Sequence, residues 1–190
     1  MNNNAVIEHI VKWMADYVAS SSTKGFVVGV PGGIDSALTS TLAAKTGLPT
    51  FCLEMPIHQA QSQVTRAREH IEKLEKEYKN VSSLSIDLTP VFDQFVDSLP
   101  AVNNEEDRFL SLANARARLR MTTLYYFAGL HSYIVAGTGN KVEDFGVGFY
   151  TKYGDGGVDI SPIADLMKTE VFSLADTLGV IEAIQVAKPT

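Results

Sequence analysis

The sequence predicts an α/β fold, a single domain with a mostly parallel sheet flanked by helices. Short apolar segments of strand length alternate along the 190 residues with longer segments whose apolar residues recur at helical spacing. The length and the 45% apolar content suit one domain with a substantial core. No internal repeat or low-complexity segment interrupts this alternation.

Each element follows from a local pattern. Apolar residues from Val6 to Val18 recur at helical spacing, which predicts a first helix over residues 4–20. Short apolar runs that end in glycine or proline predict strands at residues 26–30, 50–55, 84–88 and 133–136. Helical spacing and proline or glycine boundaries predict the remaining helices at residues 36–46, 59–78, 90–99, 109–130 and 166–178. Residues 100–107 and the glycine-rich residues 137–161 are predicted as loops.

The composition excludes several classes of protein. A net charge of −6 argues against general nucleic-acid binding. No run reaches the roughly 20 apolar residues of a membrane span, and residues 1–4 lack the basic and apolar regions of a signal peptide. The single cysteine, Cys52, forms neither an internal disulfide nor a metal cluster and is expected in the core. We therefore expect a cytoplasmic protein that contacts neither membrane nor nucleic acid.

The glycine pair at residues 32–33 is the most informative feature. It follows an apolar strand and precedes a helix that opens with Asp35 and Ser36. Such a turn presents backbone N–H groups to a phosphate, and Asp35 is placed to hold a divalent cation. No Gly-Lys-Ser/Thr follows, so this is not a Walker A loop. The same residues also fit a plain strand–turn–helix joint in which Asp35 and Ser36 cap the helix.

Two further loops are expected at the same edge of the sheet, because ligands of parallel sheets bind beyond the carboxyl ends of the strands. They are residues 55–58 and the Gly-Thr-Gly segment 137–139. Thr138 supplies a hydroxyl, and Glu143 or Asp144 supplies a carboxylate that with Asp35 makes a two-carboxylate Mg²⁺ site. Taken alone, residues 137–144 fit a turn with a helix cap better than they fit a Mg²⁺ site.

Residues 149–159 form a long aperiodic loop, which in a compact domain is usually functional or disordered. Its aromatic residues argue against disorder. Lys152 is suited to pair with an anion, and Asp159 to accept hydrogen bonds from a ribose or to bind a cation. Tyr150 and Tyr153 fit equally well as residues that pack the loop down and as ligand contacts.

Three arginines lie in the long fifth helix. Arg116 and Arg120 share a face, whereas Arg118 points the opposite way, so the three cannot serve one site. Arginines so placed are more often solvated or ion-paired. The apolar residues 124–127 that follow suit a buried helix or a subunit interface.

The last helix is expected to have Asp165 as its N-cap. Lys168 then falls in the first turn, where a cation opposes the helix dipole. This unfavourable placement suggests a bound anion nearby.

These five clusters, in this order and spacing, resemble the NAD synthetases of the N-type ATP pyrophosphatase superfamily, over nearly the whole chain. The Gly-Gly-Ile-Asp-Ser element alone indicates only the superfamily, which also includes GMP and asparagine synthetases. Its combination with Asn-Ala-Arg-Ala-Arg-Leu-Arg-Met, Gly-Thr-Gly-Asn-Lys and Thr-Lys-Tyr-Gly-Asp-Gly-Gly-Val-Asp is far more specific. The resemblance implies an adenine nucleotide alpha hydrolase-like fold. With no glutaminase domain present, it implies the form that takes free ammonia.

The resemblance also implies a reaction and a set of site residues. Deamido-NAD, ATP and ammonia give NAD, AMP and pyrophosphate through an adenylate, with no side chain acting as a covalent nucleophile. It places Asp35 and Glu143 on Mg²⁺, and Arg118, Lys152 and Asp159 on deamido-NAD. The residues that it assigns to ATP are Gly29, Val30, Pro31, Gly32, Gly33, Ile34, Asp35, Ser36, Thr138, Lys168 and Thr190. A homodimer is implied as well.

The chain departs from the family pattern in two places. Pro31 occupies the position of a serine, which removes a hydroxyl and a backbone N–H and predicts weaker nucleotide binding. The sequence ends at Thr190, whereas family members continue for several tens of residues, so we expect the family's C-terminal segment to be missing from the domain spanning residues 1–190. Two alternatives therefore stand beside the synthetase: a catalytically impaired nucleotide-binding homologue, and another amidating enzyme of the superfamily.

Overall fold

A four-stranded parallel sheet forms the centre of the molecule. The computed structural model describes residues 2–187, with the side chain of residue 145 excepted. Its strands pair in the order β3-β2-β1-β4, with these bounds: β1 Phe26–Gly29, β2 Thr50–Glu54, β3 Val81–Ser85 and β4 Ile134–Val135. The predicted α/β fold is confirmed.

Helices cover both faces of this sheet. Seven α-helices and one short π-helix occur within the described residues: α1 Asn3–Ser20, α2 Ile34–Lys45, α3 Gln61–Glu77, α4 Thr89–Asp97, α5 Glu105–His131, π1 Lys141–Val147, α6 Lys168–Thr177 and α7 Glu182–Gln185. One core lies between the sheet and α1, α2, α3, α6 and α7, and the other between the sheet and α4 and α5. None of the described helices combines the length and the apolar character that crossing a bilayer requires.

The central strand explains why the two cores form. In β1 the side chains of Phe26 and Val28 enter the first core, whereas Val27 enters the second. All three are fully buried, as expected for a central strand of a parallel sheet covered on both faces. The end of β1 therefore lies at the middle of the sheet's carboxyl edge, where Val30 leads directly into the glycine turn.

Three boundaries differ from the sequence prediction for identifiable reasons. The third strand is Val81–Ser85 rather than residues 84–88, because this edge strand is fixed by its backbone pairing with β2 and not by apolar side chains. The predicted loop 100–107 ends early: Asn104 caps α5 by accepting hydrogen bonds from two backbone N–H groups, and an acidic first turn favours the helix dipole. The predicted loop 137–161 contains π1.

The expected N-cap at Asp165 is wrong. Residues 161–166 form turns, and α6 begins at Lys168 after Met167. The backbone N–H of Met167 donates to Glu170 Oε2 at 2.8 Å, which completes the start of the helix. Lys168 nevertheless lies in the first turn, as predicted.

Candidate functional site

Two clefts adjoin at the carboxyl edge of the sheet, and Pro31 and Thr138 line both of them. The first, about 430 Å³, is lined by apolar residues together with four charged ones, Asp35, Arg66, Glu143 and Lys168, and we call it the charged cleft. The second, about 250 Å³, lies over β1 and β2 and is lined largely by apolar residues, and we call it the apolar cleft. The predicted convergence of the glycine turn, residue 55 and residues 137–138 on one edge is confirmed.

The glycine turn is held against α3. Gly32 has a φ of +92°, and a Cβ there would lie 2.5 Å from the backbone oxygen of Gln63, so only glycine fits. Gly33 is the N-cap of α2, and no side chain caps the helix. The Ser36 hydroxyl donates to the Gly33 carbonyl oxygen at 2.9 Å. The alternative in which Asp35 and Ser36 serve as N-caps is therefore wrong, and the Asp35 carboxylate bonds elsewhere.

Three elements bring one cation and two carboxylates together in the charged cleft. Lys168 Nζ, on α6, donates to Asp35 Oδ2 on α2 at 2.5 Å and to Glu143 Oε1 on π1 at 2.9 Å. Burial lowers the pKa of Lys168, but the hydrogen bonds to Asp35 and Glu143 outweigh it and raise that pKa above its ordinary value. The anions that face Lys168 in this structure are thus the chain's own carboxylates.

Asn140 joins the same group from the position just before π1, and sequence reasoning assigned it no role. Its side chain is fully buried, and Nδ2 donates to Asp35 Oδ1 at 2.8 Å. Its Oδ1 accepts from the backbone N–H groups of Val142 and Glu143 at 3.0 and 3.1 Å. One side chain therefore caps π1 and orients Asp35. An asparagine just before an acidic helix start is the signal that points to such a cap.

The structure distinguishes Glu143 from Asp144, which the sequence left open. A Cβ at Gly139 would lie 1.8 Å from Asp144 Oδ2, so the Asp144 carboxylate lies directly against the backbone of Gly139. Burial raises the pKa of Asp144, and the charges of Asp155, Glu143 and Asp35 raise it further. Glu143 is the carboxylate that reaches the cation.

The donor set suits Mg²⁺. Asp35 and Glu143 already surround one cation, the Lys168 ammonium, with oxygen atoms. Mg²⁺ is commonly held by one or two carboxylates together with substrate phosphates and waters. Among the described residues no three His, Cys, Asp or Glu side chains cluster as a metal site. An ion between Asp35 and Glu143 would therefore complete its coordination with phosphate or water oxygens.

The predicted deamido-NAD residues lie beyond the clefts, on α5 and the loop after π1. Arg118 Nε donates to the Lys152 carbonyl oxygen at 3.2 Å, and Lys152 Nζ lies 4.9 Å from the Tyr153 ring centroid. Asp159 Oδ1 accepts from the Tyr125 hydroxyl at 2.9 Å, while Oδ2 accepts from the Val135 N–H at 2.8 Å. Burial, and next the hydrogen bond that the Tyr125 hydroxyl donates to Asp159, raise the pKa of Tyr125. Arg118 and Lys152 therefore lie together, whereas both Asp159 oxygens bond within the chain.

The two faces of α5 are as the sequence predicts. Arg116 lies 5.4 Å over the Phe92 ring, and Arg120 Nε donates to the Met55 carbonyl oxygen at 2.9 Å. Arg118 faces the loop instead. Arg120 also lines the apolar cleft, which sequence reasoning did not foresee.

Thr138, like Pro31, lies where the two clefts meet. Thr190, the remaining predicted ATP contact, lies outside the described residues. Arg66 lines the charged cleft, and its position on α3 gave no sequence signal of a site.

Residues 6–190 match the family model described as NAD synthase. The chain is 35% identical over 189 residues to an NH(3)-dependent NAD(+) synthetase of Carboxydothermus hydrogenoformans, covering 96% of this chain and 73% of that protein. It is 40% identical over 183 residues to the Methanosarcina mazei protein of the same name, covering 95% and 69%.

Solved structures of an NMN synthetase and an NAD synthetase have the same fold as this chain. An NMN synthetase from Francisella tularensis superposes with a TM-score of 0.92 at 35% identity, covering 100% of this chain and 76% of that one. An NH3-dependent NAD synthetase from Campylobacter jejuni, in complex with nitrate, superposes with a TM-score of 0.86 at 30% identity, covering 97% and 77%.

Proposed function

Because the chain belongs to the NAD synthase family, we propose that it amidates deamido-NAD with ammonia, using ATP and releasing AMP and pyrophosphate. The observation that carries this assignment is the joining of Asp35, Glu143 and Lys168 beside the glycine turn. A carboxylate pair next to backbone N–H groups at a helix N-terminus suits a metal-bound polyphosphate. The enzyme is thus a ligase that forms a carbon–nitrogen bond.

The two clefts divide ATP between them. The apolar cleft, which runs over Gly29 and Leu53 to Leu124, suits a flat aromatic base, and Arg120 at its wall suits the base's acceptors. The turn Gly29–Ser36 and Thr138 lie where the clefts meet and would contact the phosphates. The charged cleft would then receive the phosphates beyond, beside Asp35, Glu143 and Lys168.

Mg²⁺ bound by Asp35 and Glu143 would neutralise charge on the phosphates. The chain's own residues bind the substrates and orient the groups that contact them. Asn140 holds Asp35 in place, and Lys168, already against both carboxylates, places its ammonium where phosphate oxygens enter. Catalysis by positioning and charge neutralisation needs no covalent nucleophile, because the acid substrate supplies its own carboxylate.

The reaction balances in two steps. A carboxylate oxygen of the substrate forms a bond to the α-phosphorus as the bond from that phosphorus to the β-phosphate breaks, and pyrophosphate leaves. Ammonia then forms a bond to the activated carbonyl carbon, the bond from that carbon to the AMP oxygen breaks, and the ammonia nitrogen loses one proton to solvent. AMP keeps the oxygen that came from the acid.

Arg118 and Lys152 are proposed to bind the anionic acid substrate, because both are exposed cations held together by one hydrogen bond. Asp159 would act on the same substrate either directly or by fixing the Tyr125 hydroxyl. A second candidate substrate is the mononucleotide acid whose amide is NMN. It is favoured by the high structural similarity to the Francisella tularensis NMN synthetase.

The test is product analysis with purified protein, ATP, Mg²⁺, ammonium and either acid. We expect NAD and AMP in equal amounts from deamido-NAD, and their loss in Asp35→Asn. Amide formation only from the mononucleotide would support the second substrate. Nucleotide binding without formation of either amide would instead support a catalytically impaired nucleotide-binding homologue. Pro31 would then be the first residue to test as the cause of the lost activity.

We further infer a cytoplasmic homodimer. Large apolar side chains stay exposed along α5 and in the loop after π1, among them Phe109, Tyr126 and Leu130 on α5 and Phe149 in the loop, which are 61–79% exposed. A contiguous interface would cover such residues. Light scattering should then give twice the chain mass of 20.7 kDa, and a monomer would contradict the inference.

A further inference from the structure

Arg66 lies on the part of α3 that packs against the glycine turn. The backbone oxygen of Gln63 and the backbone nitrogen of Ala67 approach the Cβ position of Gly32 to 2.5 and 3.1 Å. Arg66 comes between these two residues in sequence and lines the charged cleft together with Asp35 and Lys168. Arg66 thus lines the side of the site proposed for phosphates, and it lies on a helix that carries none of the residues assigned so far.

The Arg66 side chain is poorly paired within the protein. Its Nε is buried and has no hydrogen-bond partner. Across residues 2–187 no ion pair joins it to a carboxylate. A buried charged donor without an acceptor is destabilising, and a phosphate oxygen in the cleft would supply that acceptor.

Lys168 is the other cation among the described residues that line this cleft, and it is already paired. Lys168 binds both Asp35 and Glu143, and these two carboxylates more than balance its charge. A polyphosphate entering the charged cleft would therefore meet net negative charge from these three residues. Among the described residues that line the cleft, Arg66 offers it an uncompensated positive charge.

We propose that Arg66 binds the terminal two phosphates of ATP and the pyrophosphate that they become. The proposal rests on the function proposed above, with the base in the apolar cleft and the terminal phosphates in the charged one. The planar guanidinium suits bidentate contact with phosphate oxygens. It also supplies donors beside Pro31, which has no N–H and whose carbonyl oxygen accepts from Gln59 Nε2 at 3.2 Å.

Calorimetry on the full chain with inorganic pyrophosphate, Mg·ATP and AMP tests the proposal. Arg66→Gln should weaken pyrophosphate and ATP binding by about tenfold or more, and AMP binding by less than about twofold. Arg66→Lys keeps the positive charge without the planar guanidinium, so its affinities for pyrophosphate and ATP should lie between those of the wild type and Arg66→Gln. Arg68→Gln is the matched control, because Arg68 is on the same helix, lies 3.7 Å from Glu54 and does not line the cleft. Its affinities should match the wild type.

Wild-type affinity for pyrophosphate in Arg66→Gln would overturn the proposal, as would an equal loss for AMP. If Arg66→Gln fails to fold, Arg66→Lys decides, and wild-type pyrophosphate affinity in that variant overturns it. Failure of the proposed function looks different. If the wild-type protein forms no amide but Arg66→Gln still weakens pyrophosphate binding, only the proposed reaction is contradicted. Wild-type protein that binds neither pyrophosphate nor ATP contradicts both.

Discussion

Replacing Asn140 by alanine should damage the fold and the metal site together. The side chain is fully buried and makes three hydrogen bonds: one to Asp35 and two that cap π1. Alanine removes all three and leaves the Asp35 carboxylate with Lys168 as its remaining partner among the hydrogen bonds described.

The size of the effect follows from these bonds. Loss of an N-cap costs about 1 kcal/mol, and loss of a hydrogen bond to a charged carboxylate costs about 2 kcal/mol. The free energy of unfolding should fall by about 3 kcal/mol, which in a domain of this size lowers the melting temperature by about 6–12 °C. Loss of the residue that orients a metal-binding carboxylate should weaken apparent Mg²⁺ affinity by about 10–100-fold.

Asn104→Ala is the matched control. Asn104 also caps a helix, with its Oδ1 accepting from two backbone N–H groups at 3.1 and 3.3 Å, but it is exposed and does not line the charged cleft. It should cost about 1 kcal/mol and leave the Mg²⁺ dependence unchanged.

Thermal unfolding and a Mg²⁺ titration of NAD formation at saturating ATP measure the two effects. The reasoning fails if Asn140→Ala loses no more stability than Asn104→Ala. It also fails if the Mg²⁺ concentration that gives half-maximal rate stays at the wild-type value.

Three further predictions concern single side chains. Pro31→Ser restores a hydroxyl and an N–H at the turn and should tighten ATP binding by roughly tenfold; equal or weaker affinity by calorimetry would reject this. Burial, aided by the charge of Lys73, lowers the pKa of His70 from 6.5 to about 4. Only the unfolded state gains the proton between those values, so stability should fall by about 3 kcal/mol as the pH drops from 6.5 to 4. In urea unfolding, His70→Gln should lose that dependence, and an unaltered profile would contradict the assignment. Arg118→Gln should raise KM for deamido-NAD and leave KM for ATP unchanged. Steady-state kinetics showing the reverse would indicate that Arg118 binds ATP.

Local sequence patterns predicted most of the fold because apolar spacing and glycine positions depend on the conformation of the same short segment. The helical spacing of Val6 to Val18 and the glycine pair at residues 32–33 gave elements that the structure contains. The edge strand β3 was misplaced because its polar residues pair through the backbone, which hydropathy does not report.

The site was predicted only in part, for a related reason. Asp35 and Glu143 are carboxylates that follow glycine turns and Lys168 is a cation in a first turn, so their own segments mark them as candidates, and the structure brings them together. Asn140 carries only the mark of a helix cap, and Arg66 carries no mark of a site. Their roles depend on contacts between elements far apart in sequence, Asn140 with Asp35 on α2 and Arg66 with the cleft beside the turn.

The most direct test of the proposed reaction follows one oxygen atom. Deamido-NAD labelled with ¹⁸O in the nicotinate carboxylate should transfer one labelled oxygen to AMP, because the carboxylate attacks the α-phosphorus and AMP leaves with that oxygen. Mass spectrometry of AMP and pyrophosphate measures this directly. Label in AMP and none in pyrophosphate is the expected result. Formation of ADP, or of label in inorganic phosphate, would contradict attack at the α-phosphorus.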